Sequence, residues 1–323
     1  MARILTGIQS TGTPHLGNLL GAIRPAIDLA HQSENESFLF IADMHSLTQV
    51  KDGATLRENT YAVAAAWLAF GLDTERTVFY RQSDVAEVTE LAWYLNCFFP
   101  YQRLTLAHSF KDKADRLEDV NGGLFSYPML MAADILLYDA DFVPVGKDQL
   151  QHLEMTRDVA SRFNHKMGET FVVPKEMIRE ETQLIPGLDG EKMSKSKGNT
   201  LDIFADAGAL KKRINKEIVT DATPLEDPKD PDGAVVYNLY KLVASEGDAA
   251  NMAESLRAGG YGWGHAKKAL LEAVVDGFAS ERDEFNRWMS DKGALDAELA
   301  KGAERARAVA QPVLDRVREK IGF

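Results

Sequence analysis

The stretch that decides the fold is Gly7-Ile8-Gln9-Ser10-Thr11-Gly12-Thr13-Pro14-His15-Leu16-Gly17-Asn18. A mostly apolar run at residues 3–8 has the composition of a buried strand, and a helical pattern extends from about residue 16 to residue 31. The glycines, threonines and proline between them are typical of a turn. The segment therefore predicts a strand that passes through a turn directly into a helix.

The same alternation continues for about two hundred residues. Apolar runs predict three further strands, at residues 38–42, 77–80 and 142–145. Helical spacings predict two helices, at residues 56–70 and 150–163. The alternation of strands and helices stops at residues 98–126, which are predicted to be a helical insertion. A further helix is predicted to begin after it, with Pro128 in its first turn. Strands that alternate with helices predict an α/β protein with a Rossmann-like, doubly wound parallel sheet.

After residue 202 the spacing predicts helices alone. They are expected at residues 211–219, 235–245, 247–256, 264–288 and 294–321. A chain of 323 residues is long for a single core. We therefore predict a sheet domain at residues 1–203 and an all-helical domain at residues 204–323.

Composition sets limits on location. We expect no membrane helix, since no run of about 18 apolar residues occurs, and no secretory signal, since the first residues lead straight into a strand. The single cysteine, Cys97, cannot form an internal disulfide, and it lies in an apolar stretch where burial is expected. A cytoplasmic protein fits these features.

The net charge of −12 argues against a surface that binds polyanions indiscriminately. The charge is unevenly divided, with −9 on residues 1–203 and −3 on residues 204–323. Composition therefore neither supports nor excludes a nucleic-acid partner that binds at a local patch.

The turn at residues 9–18 has the chemistry of a phosphate site. It precedes a helix N-terminus at the carboxyl edge of the predicted sheet, where ligands bind in open parallel sheets. His15 and Asn18 share one face of the first helical turn, and Gly17 leaves room for a ligand to approach the backbone. The spacing fits neither the dinucleotide fingerprint nor a P-loop. The alternative is a junction that needs glycines only for its geometry.

A second segment, Glu191-Lys192-Met193-Ser194-Lys195-Ser196-Lys197-Gly198-Asn199, alternates lysines with hydroxyl residues. A cationic loop of this kind suits the negative charge of a departing pyrophosphate. Considered alone, such a run is more often a solvated linker.

Together the two segments resemble the signature pair of the class I aminoacyl-tRNA synthetases. His15-Leu16-Gly17-Asn18 is similar to the first motif of that class, and Lys192-Met193-Ser194-Lys195-Ser196 matches the second in full. Within the class, the chain resembles the bacterial tryptophanyl type over nearly its whole length. The segments that carry this narrower resemblance are residues 7–12, 131–138, 143–149 and 151–158.

The resemblance implies ATP as substrate, with Mg²⁺, and assigns residues to it. His15, Asn18, Lys113, Lys192 and Lys195 would act on the phosphates. The contacts with ATP as a whole would come from Gln9, Ser10, Thr11, Gly17, Asn18, Gly146, Lys147, Asp148, Ile185, Lys192, Met193, Ser194, Lys195 and Ser196. Lys147 departs from the family pattern, in which an acidic residue is common. A side chain that faces ATP would alter the nucleotide or metal contacts, whereas one that faces solvent would have no effect, and the sequence leaves both alternatives open.

The resemblance also implies a tryptophan pocket, lined by Gly7, His45, Tyr127, Met131, Asp134 and Gln149. Chemistry supports Asp134 independently, because a carboxylate within the apolar segment 130–138 needs a hydrogen-bond donor, and an indole N–H is one. The alternative is an aspartate held by an ion pair or a helix cap. No protein metal ligands are predicted.

The implied reaction is adenylation of L-tryptophan with release of pyrophosphate, followed by transfer to the 3′-terminal adenosine of tRNA-Trp. The resemblance further implies that the helical domain recognises the anticodon and that the chain forms a homodimer, for which the apolar segment 91–101 is a candidate interface. Three alternatives are a tyrosyl-tRNA synthetase, a small-molecule adenylyltransferase, and a non-catalytic duplicate that binds tryptophan or RNA.

Overall fold

The computed structural model describes residues 2–32, 34–107, 120–146, 149–178 and 185–323. Its sheet has five strands in the order β3-β2-β1-β4-β5, and each neighbouring pair is parallel. The strands are β1 (Ala2–Ile8), β2 (Asn35–Ile41), β3 (Val78–Arg81), β4 (Phe142–Val145) and β5 (Lys175–Ile178). The predicted α/β class with a Rossmann-like parallel sheet is confirmed, although β5 was not predicted.

The sheet is buried on both faces because its central strands are apolar at successive positions. Leu39, Ile41 and Phe79 pack into one core, whereas Phe38 and Tyr80 pack into the core on the opposite face. Pairing of β1 with β2 is in register from Ala2 opposite Asn35 to Ile8 opposite Ile41. Uninterrupted apolar runs of this kind are typical of parallel strands that are covered by helices on both sides.

The sheet reverses its strand order between β1 and β4. The chain moves outward from β1 to β2 and β3, and then returns to place β4 on the other side of β1. In an open parallel sheet, the crevice beyond the carboxyl ends of the strands at such a reversal is where ligands bind. The residues that follow β1 and those at the end of β4 are therefore the expected walls of a site.

The helices among the described residues are numbered here in chain order. They are α1 (Leu16–Asn18), α2 (Arg24–Ala30), α3 (Asp43–Ser46), α4 (Gly53–Ala69), α5 (Glu87–Phe98), α6 (Tyr101–Leu104), α7 (Gly122–Leu136), α8 (Leu150–Met167), α9 (Ala207–Glu217), α10 (Val235–Tyr240), α11 (Glu246–Ala258), α12 (Trp263–Gly277), α13 (Ala279–Ser290) and α14 (Lys292–Ile321). A π-helical turn, Leu19–Ile23, joins α1 to α2. Within the ranges given above, no helix is long and apolar enough to cross a membrane.

The structure corrects three details of the sequence analysis. Helix α7 begins six residues before Pro128, because the Asn121 side chain accepts a hydrogen bond from the amide of Leu124 and caps the helix there. The helix predicted at residues 264–288 is two helices, which are separated at Phe278. Cys97 is exposed rather than buried, since the buried face of α5 is formed by Val88, Leu91, Ala92 and Leu95.

The last helix, α14, returns from the helical part of the chain to the sheet and packs against β3, α4 and α5. Gly302 makes this approach possible, because a Cβ atom there would lie 1.7 Å from the carbonyl oxygen of Phe79 in β3. The helix thus rests directly on the strand backbone. The division of the chain at about residue 203 stays a prediction.

We predict that Gly302→Ala destabilises the protein by about 1–3 kcal/mol or more, because the methyl group must displace either α14 or the β3 backbone. Gly264→Ala is the matched control, since a Cβ atom at Gly264 meets nothing within 4 Å. Urea unfolding should show a lower midpoint for the first variant and an unchanged or slightly higher one for the second. Equal midpoints for the two variants would contradict the packing described.

Candidate active site

Two adjoining cavities open at the reversal between β1 and β4. The first, which we call the carboxylate cavity, has a volume of about 380 Å³ and is lined by Leu5, Thr6, Gly7, Gln9, Phe40, Ala42, His45, Tyr127, Met131, Asp134, Ile135, Val143, Pro144, Val145 and Gln149. The second, the lysine crevice, has a volume of about 250 Å³ and is lined by Ile8, Gln9, Thr11, Gly12, Pro14, His15, Asn18, Val63, Met193, Ser194 and Lys195. Gln9 borders both, so the two cavities meet at the end of β1.

The carboxylate cavity contains one buried acid, Asp134, on helix α7. Only 3% of this residue is exposed. Its Oδ2 atom lies 2.9 Å from Nε2 of His45, and both carboxylate oxygens accept from Nε2 of Gln82, at 2.8 and 2.9 Å. Burial raises the pKa of Asp134, and the hydrogen bond from His45 opposes that rise. Donors within the protein therefore hold the carboxylate, and Gln82 was not among the predicted site residues.

The other predicted tryptophan residues line the same cavity. Gly7 lies where a Cβ atom would meet the ring of Phe40 at 2.5 Å, so any larger residue would force that ring to move. Tyr127 is buried, and its hydroxyl lies 2.6 Å from Nε2 of His152. Met131 and Gln149 are partly exposed and complete the wall, Gln149 at the start of α8. All six residues that were assigned to tryptophan thus surround one cavity with a single buried carboxylate.

The lysine crevice is formed at the start of α1. His15 is 6% exposed and caps the helix, with its Nδ1 atom accepting from the amide of Asn18 at 3.3 Å. The side chain of Asn18 accepts in return from the amide of His15 at 3.2 Å. Burial, and then the positive charge of Lys195, lower the pKa of His15 to about 4. His15 is therefore neutral near pH 7, and the proton must reside on Nε2 because Nδ1 is an acceptor.

The loop at residues 191–199, which we call the lysine loop, forms the opposite wall of this crevice. The ammonium group of Lys195 donates to the carbonyl oxygen of Gly12 at 2.8 Å, and the amide of Gly17 contacts the sulfur of Met193 at 3.3 Å. Gly12 has a φ of +131°, and a side chain there would point at Lys195. Two segments that are about 180 residues apart in sequence thus face each other across one crevice.

The environment of Lys195 weakens its hold on a proton. The Lys195 side chain as a whole is exposed, but its ammonium group borders the crevice. Loss of hydration there lowers the pKa of Lys195 to about 8, and the negative charge of Asp202 opposes this shift. An amine whose pKa is close to the working pH gains its charge fully when an anion enters. The crevice is therefore suited to an anionic ligand.

Comparison with known proteins assigns this arrangement to a family. The family model of the class I tRNA synthetases for tryptophan and tyrosine matches residues 1–279. The chain is 48% identical to a tryptophan–tRNA ligase of Rhodopirellula baltica over 321 residues, which cover 99% of each chain. It belongs to the class I tRNA synthetases. The membership predicted from the two motifs is confirmed.

Solved structures of this synthetase family share the fold. Tryptophanyl-tRNA synthetase from Campylobacter jejuni, complexed with ADP and tryptophan, matches with a TM-score of 0.95 at 44% identity, covering 99% of this chain and 100% of that one. The enzyme from Mycoplasma pneumoniae matches with a TM-score of 0.80 at 29% identity, covering 100% and 98% of the two chains. The similarity therefore extends over both the sheet and the terminal helices.

Asn199 shapes the lysine loop of this synthetase, although it was not predicted as a site residue. It is 5% exposed, and its amide nitrogen donates to Asp189 at 2.7 Å and to the carbonyl of Lys192 at 3.2 Å. Its amide oxygen accepts from the amide of Ser194 at 2.8 Å. One buried side chain thus fixes the loop on both sides of Met193.

Several predicted ATP residues lie outside the lining of the crevice. Ser10 is fully buried, and its hydroxyl and amide both bond to the Ser46 hydroxyl, at 3.2 and 2.9 Å. Lys192 and Ser196 are exposed, and Gly146 is exposed at the end of β4. Ile185 supports the loop through its carbonyl, which accepts from the amide of Met193 at 3.0 Å. Three further predicted residues lie outside the described ranges: Lys113, Lys147 and Asp148.

We predict a pH dependence that originates in Lys195. In tryptophan-dependent exchange of pyrophosphate into ATP, kcat/KM for ATP should fall as the pH rises through about 8, because the free enzyme then loses the ammonium charge that attracts phosphate. Lys195→Arg should remove this basic limb, since a guanidinium group keeps its charge. Lys197→Ala, at an exposed lysine paired with Glu191, should retain it. A limb that persists unchanged in Lys195→Arg would refute the assignment.

Proposed function

We propose that this synthetase activates L-tryptophan with ATP and then charges tRNA-Trp. The observation that carries the proposal is the meeting of the two cavities at Gln9, one with a buried carboxylate and the other with a helix start and a lysine. An aromatic amino acid in the first and a nucleotide in the second would bring a carboxylate to an α-phosphate. The relative from Campylobacter jejuni, which holds ADP and tryptophan, supports this pairing of ligands.

In the proposed first step, a carboxylate oxygen of tryptophan attacks the α-phosphorus of ATP in line, and the bond to the pyrophosphate oxygen breaks. No protein nucleophile takes part. The Nε2–H of neutral His15 and the ammonium of Lys195 would donate to phosphate oxygens as charge builds up on the leaving group. Removal of one such donor typically slows a reaction by roughly 100- to 1,000-fold.

In the proposed second step, the 2′-hydroxyl of the terminal adenosine of the tRNA attacks the carbonyl carbon of the adenylate, and AMP leaves. The proton of the hydroxyl passes to the departing phosphate or to solvent. Positioning of the two reactants lowers the barrier by converting a bimolecular step into an effectively unimolecular one. Closure of the lysine loop over ATP would exclude water from the mixed anhydride.

Selection of tryptophan would depend on Asp134. A site that hydrogen-bonds one substrate N–H rejects analogues without it more strongly than apolar shape alone does. Met131 would pack against the indole ring, and Gln149 and Tyr127 would lie near the amino group. Phenylalanine, which has no N–H on its ring, would leave the buried carboxylate with an unused acceptor.

For ATP, we propose that Gln9, Thr11, Asn18, Ser194 and Lys195 contact the nucleotide directly. Gly146, Lys192 and Ser196, which are exposed, and Ile185 would reach it only in the complex. The resemblance adds Lys113, Lys147 and Asp148, which lie outside the described residues. The described residues include no cluster of three or more acidic, histidine or cysteine side chains that could hold a metal. Mg²⁺ would instead accompany the phosphates of ATP, as is usual for this ion.

We further propose that residues 204–323 recognise the anticodon of tRNA-Trp. This part of the chain carries a charge of only −3, against −9 for the remainder, so it repels RNA less. Loop bases are read by stacking and by hydrogen bonds at their edges, which requires little bulk charge. A cytoplasmic location would place the protein with its tRNA.

The proposal is tested by amino-acid-dependent exchange of labelled pyrophosphate into ATP. Tryptophan should support exchange and tyrosine should not. Asp134→Asn, which keeps the shape and removes the charge, should raise KM for tryptophan roughly 10- to 100-fold and leave KM for ATP unchanged. Exchange with tyrosine instead would favour the tyrosyl alternative, and exchange with neither would exclude an aminoacyl-adenylating enzyme.

We also propose a homodimer that forms through the surface around α5 and α6. Trp93, Tyr101 and Leu106 are 69%, 67% and 57% exposed, and Cys97 lies between them in sequence and is exposed as well. Large exposed apolar side chains mark interaction surfaces, and a two-fold interface uses the same surface on both subunits.

Trp93→Glu should therefore shift the protein from dimer to monomer in sedimentation equilibrium at micromolar concentration, since it places a charge in the apolar patch. Leu225→Glu is the control, because Leu225 is 49% exposed on the helical half and lies outside that patch. A wild-type monomer, or the same loss of dimer in both variants, would contradict the proposed interface.

A further inference from the structure

The carboxylate of Asp134 accepts hydrogen bonds from Gln82, a side chain that does not line the cavity. Gln82 opens a short 3-10 turn that follows β3, and it is 1% exposed. Its amide nitrogen lies 2.8 and 2.9 Å from the two carboxylate oxygens of Asp134, so that it bridges them. A buried amide that is hydrogen-bonded to both oxygens of a buried carboxylate restricts rotation of that carboxylate group.

The orientation of the Gln82 amide is fixed by the backbone at its other end. Its Oε1 atom accepts from the amides of Met44 and His45, at 3.1 and 3.4 Å, at the start of α3. The amide therefore cannot flip, because a flip would set an NH₂ group against two N–H donors. Nε2 must point at Asp134. The same side chain thus ties α3, which carries His45, to α7, which carries Asp134.

The hydrogen bonds to Gln82 and His45 leave part of the acceptor capacity of Asp134 for a ligand. A carboxylate has about four lone-pair directions. The amide of Gln82 uses one on each oxygen, and Nε2 of His45 occupies a second on Oδ2. One direction on Oδ1 remains to be used, in a carboxylate that borders the cavity.

We propose that Gln82 is a positioning residue that determines specificity for the indole N–H, by presenting the remaining lone pair of Asp134 to the cavity. The proposal rests on the function proposed above. Gln82 does not touch the substrate itself. It acts through Asp134, so it strengthens the binding only of substrates that carry a ring N–H.

Two substrates separate positioning from general support of the fold. Tryptophan has an indole N–H, whereas its analogue 3-(benzothiophen-3-yl)alanine has nearly the same shape with sulfur in place of that N–H. A residue that only supports the fold affects both substrates alike. A residue that aims an acceptor at the N–H affects tryptophan alone.

The experiment measures kcat/KM of each amino acid in pyrophosphate exchange. In Gln82→Met, which keeps the length and loses the donor, kcat/KM for tryptophan should fall roughly 10- to 100-fold, mainly through KM. The value for the analogue should change by less than about threefold, so the preference for tryptophan should collapse. Gln82→Leu, which also loses the donor and introduces no charge, should show the same collapse and keeps the test informative if the first variant is unstable.

Thr77→Val is the control. It removes a fully buried hydroxyl that lies just before β3, at the end of that strand opposite Gln82, and both kinetic values should stay at the wild-type level. A preference that is unchanged in the Gln82 variants, or equal losses for both substrates, would overturn the positioning role while leaving the proposed function intact. Absence of tryptophan-dependent exchange in the wild type would overturn both.

Discussion

One backbone hydrogen bond ties the first motif to the residues just after the second. The amide of Leu16, the first residue of α1, donates to the carbonyl of Leu201 at 2.9 Å. This amide belongs to a helix terminus that has no partner within its own helix. A residue near the end of the sheet-bearing part of the chain therefore completes the helix start. The segment that follows the lysine loop is thereby fastened to the first turn of α1, so the two walls of the lysine crevice are held together.

The two cavities differ in charge, and the difference orients their ligands. On one side of Gln9 lies a buried acid, held by two neutral or weakly basic side chains. On the other lie a neutral histidine, a lysine and the amides of a helix start. An aromatic amino acid with a ring N–H suits the first, and polyphosphate suits the second. A ligand pair bound the opposite way would place anionic groups against Asp134.

Much of the site could be predicted from the sequence because its residues lie in short local motifs. The strand-turn-helix at residues 3–31 and the loop at residues 191–199 each carry several functional groups that are adjacent in the chain. The class of fold followed from the alternation of apolar runs with helical spacing. The six cavity residues assigned to tryptophan came from resemblance, and the reversal between β1 and β4 explains why residues so far apart in sequence border one space.

The features that were missed depend on tertiary contacts. Gln82 follows an ordinary strand, and only the packing of α3 and α7 gives its amide two partners. Asn199 resembles the end of a polar loop until its buried contacts with Ser194 and Lys192 are known. Pro128 suggested a helix start because proline is common there, but the Asn121 cap places the start earlier. Cys97 lies in an apolar stretch, yet its position on the exposed side of α5 is set by which face meets α7 and α8.

The central claim is that one crevice binds the nucleotide while the adjoining cavity binds tryptophan. A crystal structure of the protein with tryptophan and a non-hydrolysable ATP analogue tests it most directly. Phosphate oxygens should lie between Nε2 of His15 and Nζ of Lys195, and the indole nitrogen should lie within hydrogen-bonding distance of Oδ1 of Asp134. Phosphates bound away from the first turn of α1, or an indole ring turned with its nitrogen away from Asp134, would contradict it.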